Sequence, residues 1–434
     1  MSMTAAQPFA RRPAELAQAR AGLPLVPVGV FLLCLVWRAP GLLTAPRFWA
    51  EEGTVYYAQL QTLSPLKGLV RVFNGNYQFL TNAIVELALL VPVRYAAHVT
   101  TYLGLGVALG CCWLIARLLL ARGCSTWTAS AACALFALQP GGYEVFLNAT
   151  NVQWLSSVIA VALLLAEDMP AWGPRAILHY AVLLVCGLTG TTSCILLPLF
   201  LARAVWRPST FGWTLLVLLG MATAIQGSIV LAYRADVHRA FALTGHVVLP
   251  EVFQVFFAQL MPAHLLDVVG TLVAPRDGLG VMTAIEVALL GYAGIGAMAF
   301  MASRSIGTFT AVMLLAGAVL IPLVNEFGSI SGADAMLSGW AGARYFFVGA
   351  SCMTILMAAC LDAPTPPVRV CGVVLVALAL LNGVANAEVA TWTMQNLVGP
   401  SVAEQVDACR GQASCTIMAW PTVGSFPVEV HPSP

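Results

Sequence analysis

Long apolar runs separated by short polar stretches set the rhythm of this chain. They cover roughly residues 21–38, 97–117, 124–140, 152–167, 174–189, 190–206, 210–232, 281–302, 306–324, 343–361 and 368–386. A helix needs about 20 mostly apolar residues to cross a bilayer. The pattern therefore predicts an all-α polytopic membrane protein with about 11 transmembrane helices. One further run, 79–93 ("FLTNAIVELALLVPV"), is short, holds Asn82 and Glu86, and breaks at Pro92. It reads as an amphipathic helix lying along the interface rather than crossing.

Composition strengthens that reading. Of the 434 residues 60% are hydrophobic and 9% charged, against roughly 25% charged in soluble domains. A formal net charge of +1, without any basic tract, offers no footing for nucleic acid. Ten of the twelve cysteines sit in or beside apolar runs, where a thiol behaves as a small hydrophobe. Cys409 and Cys415 differ: they lie in a polar tail, "DACRGQASCTI", at a spacing where a disulfide could close a short loop. No CxxC pair and no His/Cys cluster has metal-ligand spacing, so no metal site is expected.

Arginine placement orients the spans. With eleven crossings and an N-terminus inside, Arg11, Arg12, Arg20, Arg117, Arg122, Arg175, Arg203, Arg207, Arg304 and Arg369 all fall on the cytoplasmic side, as the positive-inside bias requires. A crossing at 79–93 would carry Arg117 and Arg122 outside and break the pattern. The expected organisation is a cytoplasmic tail over 1–20, a membrane domain over 21–386 with a first outer loop at 39–96, and an outer tail over 387–434. The run after the basic N-terminus shows no small-residue cleavage site and reads as an uncleaved anchor.

Nearly all polar chemistry then falls on the outer face, in three constellations. The first loop carries "RFWAEEGTVYYAQL", with Glu51 and Glu52 ahead of Tyr56 and Tyr57, and Asn76 and Tyr77 further on. Acids in a first helical turn also suit the macrodipole, and interfacial aromatics form belts. Yet a carboxylate beside a bilayer is a functional candidate by default. Neighbouring helical positions diverge by about 100°, so one acid could serve as general base while the other orients it or binds hydroxyls. "QPGGYEVFLNATNVQW" brings Glu144, Asn148, Asn151 and Gln153 into a short loop, a donor and acceptor set suited to sugar hydroxyls. Arg344 and Tyr345 open a span at its outer end, against the charge bias. Snorkelling is the plain account of Arg344, and a phosphate contact the functional one. Arg234, Arg239 and His246 form a second outer basic cluster with the same use.

These segments resemble the GT-C superfamily of membrane glycosyltransferases. "FWAEEG" is similar to an "AEDG" version of that family's first-loop acidic motif, with Glu in place of Asp at position 52; "EVFLNATNVQW" and "ARYFF" are similar more weakly. The resemblance implies a GT-C-like bundle with interfacial helices in the first outer loop. It also implies an inverting enzyme that moves a sugar from a polyprenyl-phosphate donor to a protein or glycan acceptor at the periplasmic face of a bacterial inner membrane. In size and layout the chain is similar to arabinosyltransferases of type IV pilins, which would make the sugar a pentose such as arabinofuranose and the acceptor pilin-like. Glu52 would then be the base with Glu51 supporting, the reverse remaining open, and Arg344, Arg239 or Arg234 would meet the leaving phosphate. A divalent metal held by carboxylates is compatible with this chemistry, though no ligand spacing points to one. The rival class is a transporter or flippase of a lipid-linked sugar. It is disfavoured because no internal repeat stands out and the charges sit at span ends. A non-catalytic assembly subunit would leave the acids exchangeable.

Overall fold

The computed structural model describes residues 23–234, 253–262, 265, 268, 278–327, 343–389, 400–409, 411–412, 414–420 and 426–430. All eleven apolar runs fold as helices: α1 Leu25–Arg38, α3 Val93–Ala121, α4 Thr126–Leu138, α5 Val152–Leu164, α6 Pro174–Leu188, α7 Leu197–Trp206, α8 Thr210–Ala232, α9 Gly278–Ile306, α10 Thr308–Phe327, α11 Phe347–Ala359 and α12 Pro366–Val389. The ambiguous run forms α2, Phe79–Ala88, ten residues or about 15 Å long and too short to cross.

Length divides the eleven. Among the described residues six helices are long and apolar enough to span a membrane: Val93–Ala121, Thr210–Ala232, Ile285–Ile306, Thr308–Asn325, Ala343–Asp362 and Pro366–Asn386. The other five belong to the shorter apolar helices of 10–17 residues. Packing explains why five of the eleven are short. Helices α4 and α5 are buried along nearly their whole length, so protein rather than lipid surrounds them. The segment joining them, Gln139 to Asn151, is buried at every residue but Pro140. Irregular backbone is tolerated at such depth because its polar groups find partners inside the protein. Arg38 supplies some of them: its guanidinium donates to the carbonyls of Ala137 at 2.7 Å and Gln139 at 3.0 Å, closing the C-terminus of α4.

The two ends of the bundle differ. At one end Arg122 donates to the Leu165 carbonyl at 2.9 Å, Arg203 pairs with Asp168 at 2.9 Å, and the Asp362 carboxylate accepts from the Ser125 amide at 2.6 Å. Local signals set these turns: Ser125 caps α4 and Ser209 caps α8 through their side chains. The 29-residue α3 runs from this end, about 42 Å away, to Arg94, which pairs with Asp407 at 3.6 Å.

At that far end a second, smaller core forms. The first loop contributes Phe48, Tyr57, Leu60 and Phe73, and the C-terminal tail contributes Val402, Ile417, Val428 and Val430. The tail folds as α13, Val402–Ala408, opened by a Ser401–Glu404 capping box, and an antiparallel pair of strands, β3 Cys415–Ala419 and β4 Phe426–Val430. Hydrogen bonds from the Ala50 amide to the Trp420 carbonyl (2.6 Å) and from the Trp420 amide to the Phe48 carbonyl (2.7 Å) stitch tail to loop. Cys409 and Cys415 are joined in a disulfide. In the first loop β1, Val72–Phe73, pairs with β2, Asn76–Tyr77, through a tight turn at Asn74 and Gly75.

Candidate functional site

At the end of the bundle bearing the tail a cavity of about 450 Å³ opens. Three walls meet there. The first loop provides Glu51, Val55, Tyr56, Phe73, Asn74, Asn76 and Gln78. The recessed segment and the start of α5 provide Thr150, Asn151, Gln153 and Trp154. Asn325, Arg344 and Tyr345 close the far side. Thr191 and Thr192 add hydroxyls, while Ile195, Val230 and Val324 make one side apolar.

Glu51 and Glu52 part company at a π-helical turn, Glu52–Tyr57, a geometry that often marks functional sites. Glu51 lines the cavity with its side chain 40% exposed, and its Oε1 lies 3.9 Å from Arg344 Nη2. Glu52 turns the other way and is fully buried. Its carboxylate accepts from the Trp49 amide at 2.9 Å and from the Ala149 amide at 2.6 Å, with the Thr100 hydroxyl as a further partner. Burial pushes its pKa up to about 7, against the pull of those three donors. It bridges the first loop to the recessed segment and has no face on the cavity.

The remaining candidates divide in the same way. Tyr56 lines the cavity with its ring 4.5 Å from Phe73, and burial pushes its hydroxyl pKa well up. Tyr57 packs behind, 4.7 Å from Phe48, its hydroxyl raised to about 12 by burial. Asn76 donates to Gln153 Oε1 at 3.3 Å, so these two amides meet across the wall. Tyr77 donates its hydroxyl to the Leu69 carbonyl and does not line the cavity. Asn148 is spent on the Glu144 and Phe146 carbonyls, and its Oδ1 accepts from the Asn151 amide. Asn151 donates to the Glu144 carbonyl at 2.7 Å and accepts from Trp154 Nε1. Glu144 lies behind the wall, buried and 3.5 Å from Arg344 Nη1. Arg234 stands exposed past the end of α8, away from the cavity lining. Arg239 and His246 lie outside the described residues.

Several wall residues escaped the sequence reading. Phe73 had a local signal: Asn-Gly between short strands is the preferred two-residue hairpin turn, and Asn74 and Gly75 both have positive φ, at 49° and 64°. Thr191 and Thr192 had none, because non-local contacts bring them in. The Gly190 amide donates to the Tyr77 carbonyl at 2.9 Å, and Gly190 itself has φ +90°. A Cβ there would stand in the left-handed region and meet Gln153 Oε1.

No His, Cys, Asp or Glu cluster of three that could hold a metal ion occurs among the described residues. Chemically the cavity offers a half-exposed carboxylate opposite a guanidinium, a surround of amides and hydroxyls, and one apolar flank.

No family model matches the chain, and no curated protein matches it. Among solved structures, ArnT from Cupriavidus metallidurans, a crystal structure bound to undecaprenyl phosphate, is similar over 90% of this chain and 92% of that one, at 12% identity and a TM-score of 0.32. At that score it is a likeness and no more.

Proposed function

We propose that the chain is an inverting membrane glycosyltransferase that takes its sugar from a polyprenyl-phosphate donor, with Glu51 as the general base. The supporting observation is the pairing of Glu51 and Arg344 in a cavity lined by amides and hydroxyls. The amides and hydroxyls suit a sugar, which presents many hydroxyls and few charges. Arg344 suits the leaving phosphate and the apolar flank its lipid chain. Glu51 takes the proton of the acceptor hydroxyl as that oxygen bonds to the anomeric carbon. The bond from that carbon to the phosphate oxygen breaks, its electron pair staying on the phosphate, where Arg344 stabilises the charge. Attack opposite the leaving group inverts the configuration.

Glu52 keeps a supporting role, exercised through the backbone amides of Trp49 and Ala149. The finer reading retains a pentose such as arabinofuranose as the sugar and a protein or glycan as the acceptor. It sets the cavity on the periplasmic side of an inner membrane with the N-terminus inside, because Arg122, Arg203 and Arg207 gather at the opposite end. The test is transfer of labelled sugar from synthetic polyprenyl-phosphate pentoses and hexoses by the purified protein, with the product anomer read by NMR. Transfer with inversion is expected. Retention of configuration, or no transfer from any such donor, contradicts the reading.

A further inference from the structure

Arg344 stands between two carboxylates in different settings. Glu51 Oε1 lies 3.9 Å from Nη2 on the cavity side, with its side chain 40% exposed; Glu144 Oε2 lies 3.5 Å from Nη1 behind the wall, with its side chain 7% exposed. Glu144 is itself held on several sides. Tyr143 donates its hydroxyl to Oε1 at 3.3 Å, and the Arg344 backbone amide donates to the same carboxylate. The close approach of the two segments depends on Gly141, where a Cβ would come 2.8 Å from the Ala343 carbonyl oxygen.

An anion entering the cavity meets Glu51 already beside the guanidinium, so the two compete for one partner. We propose that Glu144 is the positioning residue for this guanidinium: it holds Arg344 from behind as a fixed partner, which leaves Glu51 as an exchangeable one whose place the incoming phosphate takes. This deepens the glycosyltransferase reading and rests on it. Phosphate entry then does two things at once, since it fills the anion seat and releases Glu51 from Arg344 for the acceptor. Without Glu144, the guanidinium swings to its remaining carboxylate and the seat closes.

The two acids therefore have opposite effects on anion binding although they flank the same cation. Binding of a short alkyl phosphate to the full-length protein in detergent, followed by calorimetry, reads this directly. Glu51→Gln removes the competitor and is expected to tighten binding about threefold, the scale of a partly exposed charge pair. Glu144→Gln is expected to weaken it about tenfold or more, as for loss of one partner of a buried pair. The double variant is expected to recover most of the loss, because no carboxylate then draws Arg344 away. Tyr143→Phe, a mild change that keeps the Glu144 charge, is expected to weaken binding about twofold, and covers the case in which Glu144→Gln does not fold. Binding to Glu144→Gln or Tyr143→Phe as tight as or tighter than to wild type overturns the positioning role and leaves the glycosyltransferase reading standing. Failure of the double variant to regain affinity also overturns it. Absence of binding to wild type overturns the reading as a whole.

Discussion

Glu51 and Glu52 are adjacent in the chain yet differ in fate, because the first helical turn points neighbours about 100° apart and only one direction leads to open space. That the pair was unequal could be read from the sequence. Which acid faced the cavity could not, since it depends on the Ala149 amide, 97 positions away. Burial has a measurable consequence. A carboxyl with a folded-state pKa near 7, above its ordinary 4.5, is favoured in its protonated form by the fold. Below pH 4.5 it costs nothing. As pH rises from 4.5 to 7 the unfolded chain ionises first and stability falls, by ~3 kcal/mol in all, and above pH 7 the loss is complete. Wild type should therefore show a thermal midpoint that drops between pH 5 and 7.5, and Glu52→Gln should lack that part of the slope. Equal slopes would mean that Glu52 is not buried as described. Gly190→Ala tests the opposite wall: strain at φ +90° and contact with Gln153 should lower stability by about 1–2 kcal/mol and raise the donor KM more than it lowers kcat.

Among the elements, helix lengths shape the site. Apolar runs located the eleven helices of the bundle, because each run must bury or immerse its surface, but they could not show that α4 and α5 stop after 13 residues. Their loop is packed inside the bundle, where a Cβ at Gly104 of α3 would touch the Asn148 backbone. Gly104 lies about a third of the way along α3 from Arg94, so the cavity floor is recessed below the Arg94 end of that helix. The hairpin that carries Asn74 and Asn76 depends on its turn, and Gly75→Ala at φ 64° should cost about 1 kcal/mol. The expected signature is a lower melting temperature together with weaker donor binding; a change in neither would show that the hairpin does not shape the wall.

Over the whole molecule, first loop and C-terminal tail share one core although more than 300 positions separate them, as in the hydrogen bond from Gln61 to the Glu429 carbonyl. Polar composition set the tail apart from the apolar runs but gave no sign of what it packs against, since two-stranded pairing has no long-range signature in one sequence. The disulfide closes a seven-residue ring from Cys409 to Cys415, which on the chain-entropy model is worth about 2 kcal/mol. Paired Cys409→Ser and Cys415→Ser changes should speed proteolysis of the tail and lower the melting temperature by a few degrees, without removing any cavity residue. The central claim concerns the base, and the direct measurement is sugar transfer from a polyprenyl-phosphate donor by wild type, Glu51→Gln and Glu52→Gln, each shown folded by its melting curve. Loss of about 10²–10⁴-fold in kcat for Glu51→Gln, with Glu52→Gln still turning over at a raised KM, is the predicted result; wild-type turnover by Glu51→Gln would contradict it.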